Sequence, residues 1–113
     1  MADKKKWERF ATPSSGNVFA DLRLPAAEER KTKVRLAFEI NLIIKEQKLS
    51  QTAAARRLNV RQPKISALYH YQLEGFSVER LMNFLTALDR DVHIAVRPKR
   101  KSAKTGRILV TAA

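Results

Sequence analysis

Apolar residues recur at helical spacing through the middle of the chain. Leu36, Ile40, Ile43 and Ile44 form one stripe, widened by Phe38 and Leu42. The pattern predicts a long helix from about Ala26 to about Gln47, central to the core. Pro25 precedes it, and Glu28 and Glu29 fall where acids meet the positive end of the helix dipole. Two short helices come next. Ser50 is a good N-cap, Gln51 opens the first of them, and Ala54, Ala55 and Leu58 share one face. Ala55 stands where two short helices must cross closely, so a small side chain fits. Asn59 occupies the turn, where a residue tolerant of positive φ is favoured. Pro63 fits the first turn of the second helix, whose N–H there has no helical partner anyway. Ile65 and Leu68 form the buried side, leaving Gln62, Lys64, Ser66 and Ala67 outside. Gly75 breaks the connection over residues 70–76, and Ser77 caps another helix. Val78, Leu81, Met82, Leu85 and Leu88 form its stripe, and Arg90-Asp91 ends it.

The period then changes to two. Val92, Ile94 and Val96 alternate with His93, Ala95 and Arg97, which predicts a C-terminal strand. A strand needs a ladder partner. Either the same strand of a second molecule or Ile108-Leu109-Val110 of the same chain can supply it. The pairing across a two-fold axis is the favoured expectation, with Val92, Ile94 and Val96 as the dimerisation residues. At the other end, residues 1–16 are polar and basic and read as a flexible arm interrupted by Trp7 and Phe10; Asn17 caps a single turn over 18–22. The chain thus divides into an arm (1–16), a domain (17–98) and a basic tail (99–113).

Composition narrows the chemistry. The 113 residues suffice for one small domain, and the net charge of +12 suits a polyanionic partner. No cysteine is present, which removes disulfides and thiolate metal sites and fits a reducing cytoplasm. No apolar stretch approaches the roughly 20 residues of a membrane span. His70 and His93 are the only histidines, with no nucleophile–base–orienter set and no metal-ligand spacing. The expectation is a non-enzymatic protein without metal or cofactor.

The pair of short helices over residues 49–68 has the layout of a helix-turn-helix, the unit that inserts its second helix into the DNA major groove. An ordinary helical hairpin with a solvated basic face is the bland alternative. The conjunction of cap, small residue, turn residue and buried pair weighs against it.

The chain also resembles a known group. Residues 15–22 (Ser-Gly-Asn-Val-Phe-Ala-Asp-Leu), Leu24-Pro25, the helix-turn-helix, Gly75-Phe76-Ser77-Val78-Glu79-Arg80-Leu81 and Leu88-Asp89-Arg90-Asp91-Val92-His93-Ile94 look like the Xre-type, HigA-like antitoxin group of bacterial regulators. The resemblance covers roughly residues 14–98. It implies a mainly α, four- to five-helix lambda-repressor-like domain with one C-terminal strand that pairs across a homodimer. It also implies an autorepressor of a toxin–antitoxin operon, acting on a pseudo-palindromic double-stranded operator, with a RelE/HigB-like toxin as possible partner. A stand-alone repressor without toxin and a basic RNA-binding protein are the alternatives. By analogy with phage repressors, Gln51 touches a phosphate while Gln62, Lys64 and Ala67 face base edges. Arg56, Arg57 and Lys48 are expected on phosphates or simply at the surface. The full DNA-binding set is Gln51, Arg56, Arg61, Gln62, Pro63, Lys64, Ser66 and Ala67. One departure stands out: the group favours an acid before Gln-Pro-Lys, and this chain has Arg61. An arginine cannot accept the helix N–H bonds that a capping carboxylate would, but it can reach a phosphate or a guanine.

Overall fold

The computed structural model describes residues 26–112. Four helices lie among them: α1 (Ala26–Glu46), α2 (Gln51–Leu58), α3 (Gln62–Tyr69) and α4 (Val78–Ala87). The single turn expected over 18–22, and Trp7 and Phe10 of the arm, lie outside the described residues.

The surface of α1 carries three ladder pairs, Glu28–Lys31, Glu29–Lys33 and Arg35–Glu39, at 3.3–3.6 Å. Each contributes a few tenths of a kcal/mol, ~0.2–0.5. Its buried side is Thr32, Leu36, Ala37, Ile40 and Ile43. The Thr32 hydroxyl donates to the Glu28 carbonyl at 3.0 Å, which satisfies it inside the core. The expected stripe is too wide, however. Phe38 and Leu42 are exposed, together with Val34. Successive turns at i, i+4 and i+8 carry these three onto one exposed side of α1, and the Arg35 guanidinium lies 5.5 Å from the Phe38 ring centre.

Packing is pairwise: α1 lies chiefly against α4, and α2 against α3, with lesser contacts of α1 to α3 and α4 to α2. Ile40, Leu68, Leu73, Leu81 and Leu88 form the centre and are essentially solvent-free; each such side chain contributes about 1.5–3 kcal/mol of burial. Two side-chain amides, one on α1 and one just after its end, reach the ends of other helices. Asn41 donates to the Leu68 carbonyl at 3.1 Å and Gln47 to the Leu88 carbonyl at 3.4 Å. Both carbonyls lie at helix C-termini, and that of Leu68 also accepts the Tyr71 N–H at 3.2 Å.

All four helices close in the same way. A residue at positive φ follows each one: Lys48 (54°), Asn59 (55°), Tyr71 (58°) and Asp89 (64°). Its N–H donates three residues back, and the next N–H five residues back: Leu49 to Ile44, Val60 to Ala55, Gln72 to Ala67, and Arg90 to Leu85, at 2.9–3.0 Å. This is the Schellman closure, usually made with glycine. None of the four positions here is glycine.

The strand expected over 92–97 is not formed among the described residues. Val92 packs against the core, but Ile94 and Val96 are 75% and 94% exposed. The alternative partner is not used either. Val110 returns to pack on the core while Leu109 is exposed, and no ladder joins the two segments. Without a paired edge the alternating segment stays irregular. The basic tail is not wholly detached, since Val110 docks on the domain.

Candidate nucleic-acid interface

The local geometry of the two short helices follows from their end residues. Ser50 caps α2 from an extended conformation, its hydroxyl accepting the Ala53 N–H at 3.0 Å. Asn59 closes α2 in the left-handed region, as its side chain permits. Ala54 and Ala55 are buried, so the α2 and α3 backbones approach closely. Arg61 stands at the N-cap of α3 in extended conformation and makes no side-chain capping bond. Pro63 fills the first turn. Ile65 and Leu68 hold α3 to the core.

The outward residues divide into distinct groups. Gln51, Arg56, Arg61, Gln62 and Pro63 are exposed, and Ser66 and Ala67 are half-exposed, with Ala67 partly packed on the core. Lys64 is half-buried and turned aside. Its ammonium donates to the Gly75 carbonyl at 3.4 Å and lies 5.0 Å from the Phe76 ring centre. Tyr69, the last residue of α3, is 61% exposed, and its ring meets His70 edge-on at 5.2 Å.

Two neighbouring arginines have different fates. Arg57 donates to the Asp89 carboxylate at 2.7 Å and to the Gln47 side-chain oxygen at 3.4 Å, which ties α2 to the ends of α1 and α4. Arg56 has no carboxylate partner among the described residues, and neither do Arg61 and Lys64. The sequence explains why. From Gln47 to Leu73 there is no Asp or Glu, while Lys48, Arg56, Arg57, Arg61 and Lys64 are all basic. This acid-free run spans the whole two-helix unit and was open to inspection in the sequence. The Arg57–Asp89 tie and the side pocket of Lys64 were not, because they join residues far apart in the chain.

A family model described as a helix-turn-helix domain matches residues 18–97. The chain belongs to the helix-turn-helix domain family. The matched range contains all four helices α1 to α4. The domain is also similar to a solved structure whose name assigns it to the XRE-family transcriptional regulators. The two share 58% sequence identity with a TM-score of 0.75, over 79% of this chain and 100% of the other. No curated protein matches the chain. The fold is thus a mainly helical XRE-like one, of four helices among the described residues.

Proposed function

We propose that the protein is a sequence-specific transcriptional regulator that reads double-stranded DNA with α3. The observation that carries this is the outer face of the α2–α3 unit. There Gln51, Arg56, Arg61 and Gln62 are exposed, the arginines lack carboxylate partners among the described residues, and no acid occurs from residue 47 to 73. A phosphate backbone meets only positive or neutral groups on that face. Gln62, at the first position of α3, has an amide that can pair bidentately with adenine. Gln51, Arg56 and Arg61 hold phosphates, while Pro63, Ser66 and Ala67 give α3 a close-fitting surface with an apolar methyl for thymine. Lys64 reaches the duplex once its ammonium leaves Gly75.

The regulator acts as a homodimer. Ile94 and Val96 are exposed apolar residues at period-two spacing with no ladder among the described residues. Pairing of residues 92–97 with their symmetry mates supplies it and sets two recognition helices about one helical turn apart, roughly 34 Å. The resemblance to the HigA-like group supports a narrower assignment: an antitoxin-type autorepressor of a toxin–antitoxin operon, with a RelE/HigB-like toxin as partner and the cytoplasmic nucleoid as its place. No helix among the described residues is long and apolar enough to cross a membrane.

In vitro selection from a random duplex library, followed by footprinting of the gene's own promoter, tests the main reading. The expected result is a pseudo-palindrome protected on two adjacent turns of one face. Binding that is independent of sequence on every duplex refutes it. Co-purification with the product of the adjacent reading frame tests the antitoxin assignment separately.

A further inference from the structure

Lys64 is the member of the α3 recognition set whose charged group is engaged by the domain itself. Three features define the place it occupies. The Gly75 carbonyl accepts its N–H at 3.4 Å, a long and weak bond. The Phe76 ring, nearly buried, offers its face at 5.0 Å. No carboxylate lies within ion-pair reach among the described residues. The ring is also shared. The Arg80 guanidinium lies 5.9 Å from the Phe76 centre and 5.6 Å from that of Phe84, and the two rings meet edge-to-face at 5.9 Å. Two cations on one ring repel each other, so the hold on Lys64 is shallow.

Gly75 is what leaves room for it. A Cβ built there would come within 2.7 Å of the Lys64 Nζ and, chain neighbours aside, within 4 Å of nothing else among the described residues. The glycine φ is outside the left-handed region, so an alanine adopts this backbone without strain. The absence of a side chain at residue 75 therefore serves one neighbour.

We propose that Gly75 and Phe76 form an intramolecular berth that competes with DNA for the Lys64 ammonium, which makes Gly75 a positioning residue for recognition. The proposal rests on the reading of α3 as the DNA-contacting helix. In the free protein the ammonium sits in the berth; on the duplex it leaves for a phosphate or a guanine edge. A partly exposed cation–π contact of this kind accounts for about a two- to five-fold change in an equilibrium.

Gly75→Ala closes the berth by one methyl group, and two measurements on the full chain read the outcome. Without DNA, the ε-methylene protons of Lys64 in the wild type resonate upfield, shielded by the Phe76 ring, and return to ordinary lysine positions in Gly75→Ala. With the selected duplex, Gly75→Ala binds about two- to five-fold more tightly than wild type, and the gain vanishes when Lys64→Ala is also present. Thermal melting verifies that the variant stays folded. Unshifted Lys64 protons in the wild type would show that no berth exists. Affinity that is unchanged or lowered in a folded Gly75→Ala protein overturns the competition, as does a gain that persists without Lys64. If the wild type shows no sequence preference at all, the DNA-reading assignment of α3 fails and the competition falls with it. The proton shifts, measured without DNA, still decide whether the berth is there.

Discussion

Arg56 and Arg57 are sequence neighbours on one short helix, and the structure assigns them opposite tasks. Arg57 is held by Asp89 at 2.7 Å and by Gln47 at 3.4 Å, whereas Arg56 is exposed and has no carboxylate partner among the described residues. Alanine at each position separates the two. A single phosphate contact contributes about 0.9 to the slope of log affinity against log salt. Arg56→Ala should therefore lower that slope by about one on specific and random duplexes alike. Between roughly 50 and 200 mM salt, the lost contact alone is a factor of about three to four in how affinity changes. Arg57→Ala should leave the slope within experimental error of wild type and act on stability instead. Its ion pair is largely exposed, with Asp89 82% accessible, so the loss is small, about 0.5–1 kcal/mol. Fluorescence anisotropy at a series of salt concentrations measures the first effect, and urea unfolding the second. Asp89→Ala should lower stability as Arg57→Ala does, and combining the two should add little. An Arg57→Ala protein of normal stability whose salt slope falls like that of Arg56→Ala would refute the assignment.

Other consequences follow from the same geometry. Gln62→Ala should cost roughly 1–3 kcal/mol on the selected duplex and relax the preference at one or two base pairs, read by repeating the selection with the variant. Ile94→Lys places a charge at the centre of the proposed two-fold pairing. Sedimentation should then find a monomer of near-normal helical content by circular dichroism, with operator affinity sharply reduced; a stable dimer would rule the pairing out. Lys48→Gly removes the steric penalty of a lysine at φ 54° and should stabilise the domain by about 0.5–1 kcal/mol in urea unfolding, net of the extra freedom glycine gives the unfolded chain.

The four helices among the described residues were legible because their signals are local. Ser50 and Ser77 act as caps where the sequence indicates them, and Ile40, Leu68 and Leu81 fall on the buried faces that their spacing predicts. Asn59 marks its turn for the same reason. Phe38 and Leu42 misled, because hydrophobicity gives the width of an apolar stripe but not how much of it the neighbouring helices cover. The period-two run over 92–97 is an honest strand pattern, yet strand formation depends on a partner that the sequence does not name. Lys64 was assigned to the outer face by position alone. Nothing in helical periodicity reveals that a carbonyl eleven residues on, at Gly75, draws its ammonium sideways.

The glycine-free closures have a consequence for how the reading head is held. At Lys48 and Tyr71 the native backbone is one the residue does not favour by itself, so those turns persist only while the helices on both sides are docked. Such a domain cannot fray helix by helix; its corners release together with its core. In hydrogen-exchange terms, the amides of Leu49, Val60, Gln72 and Arg90, which make the closing bonds, should open only in the global unfolding event and report one common free energy. The angle at which α3 meets a groove is then a property of the entire four-helix body, and no two-helix excerpt of this chain would retain it.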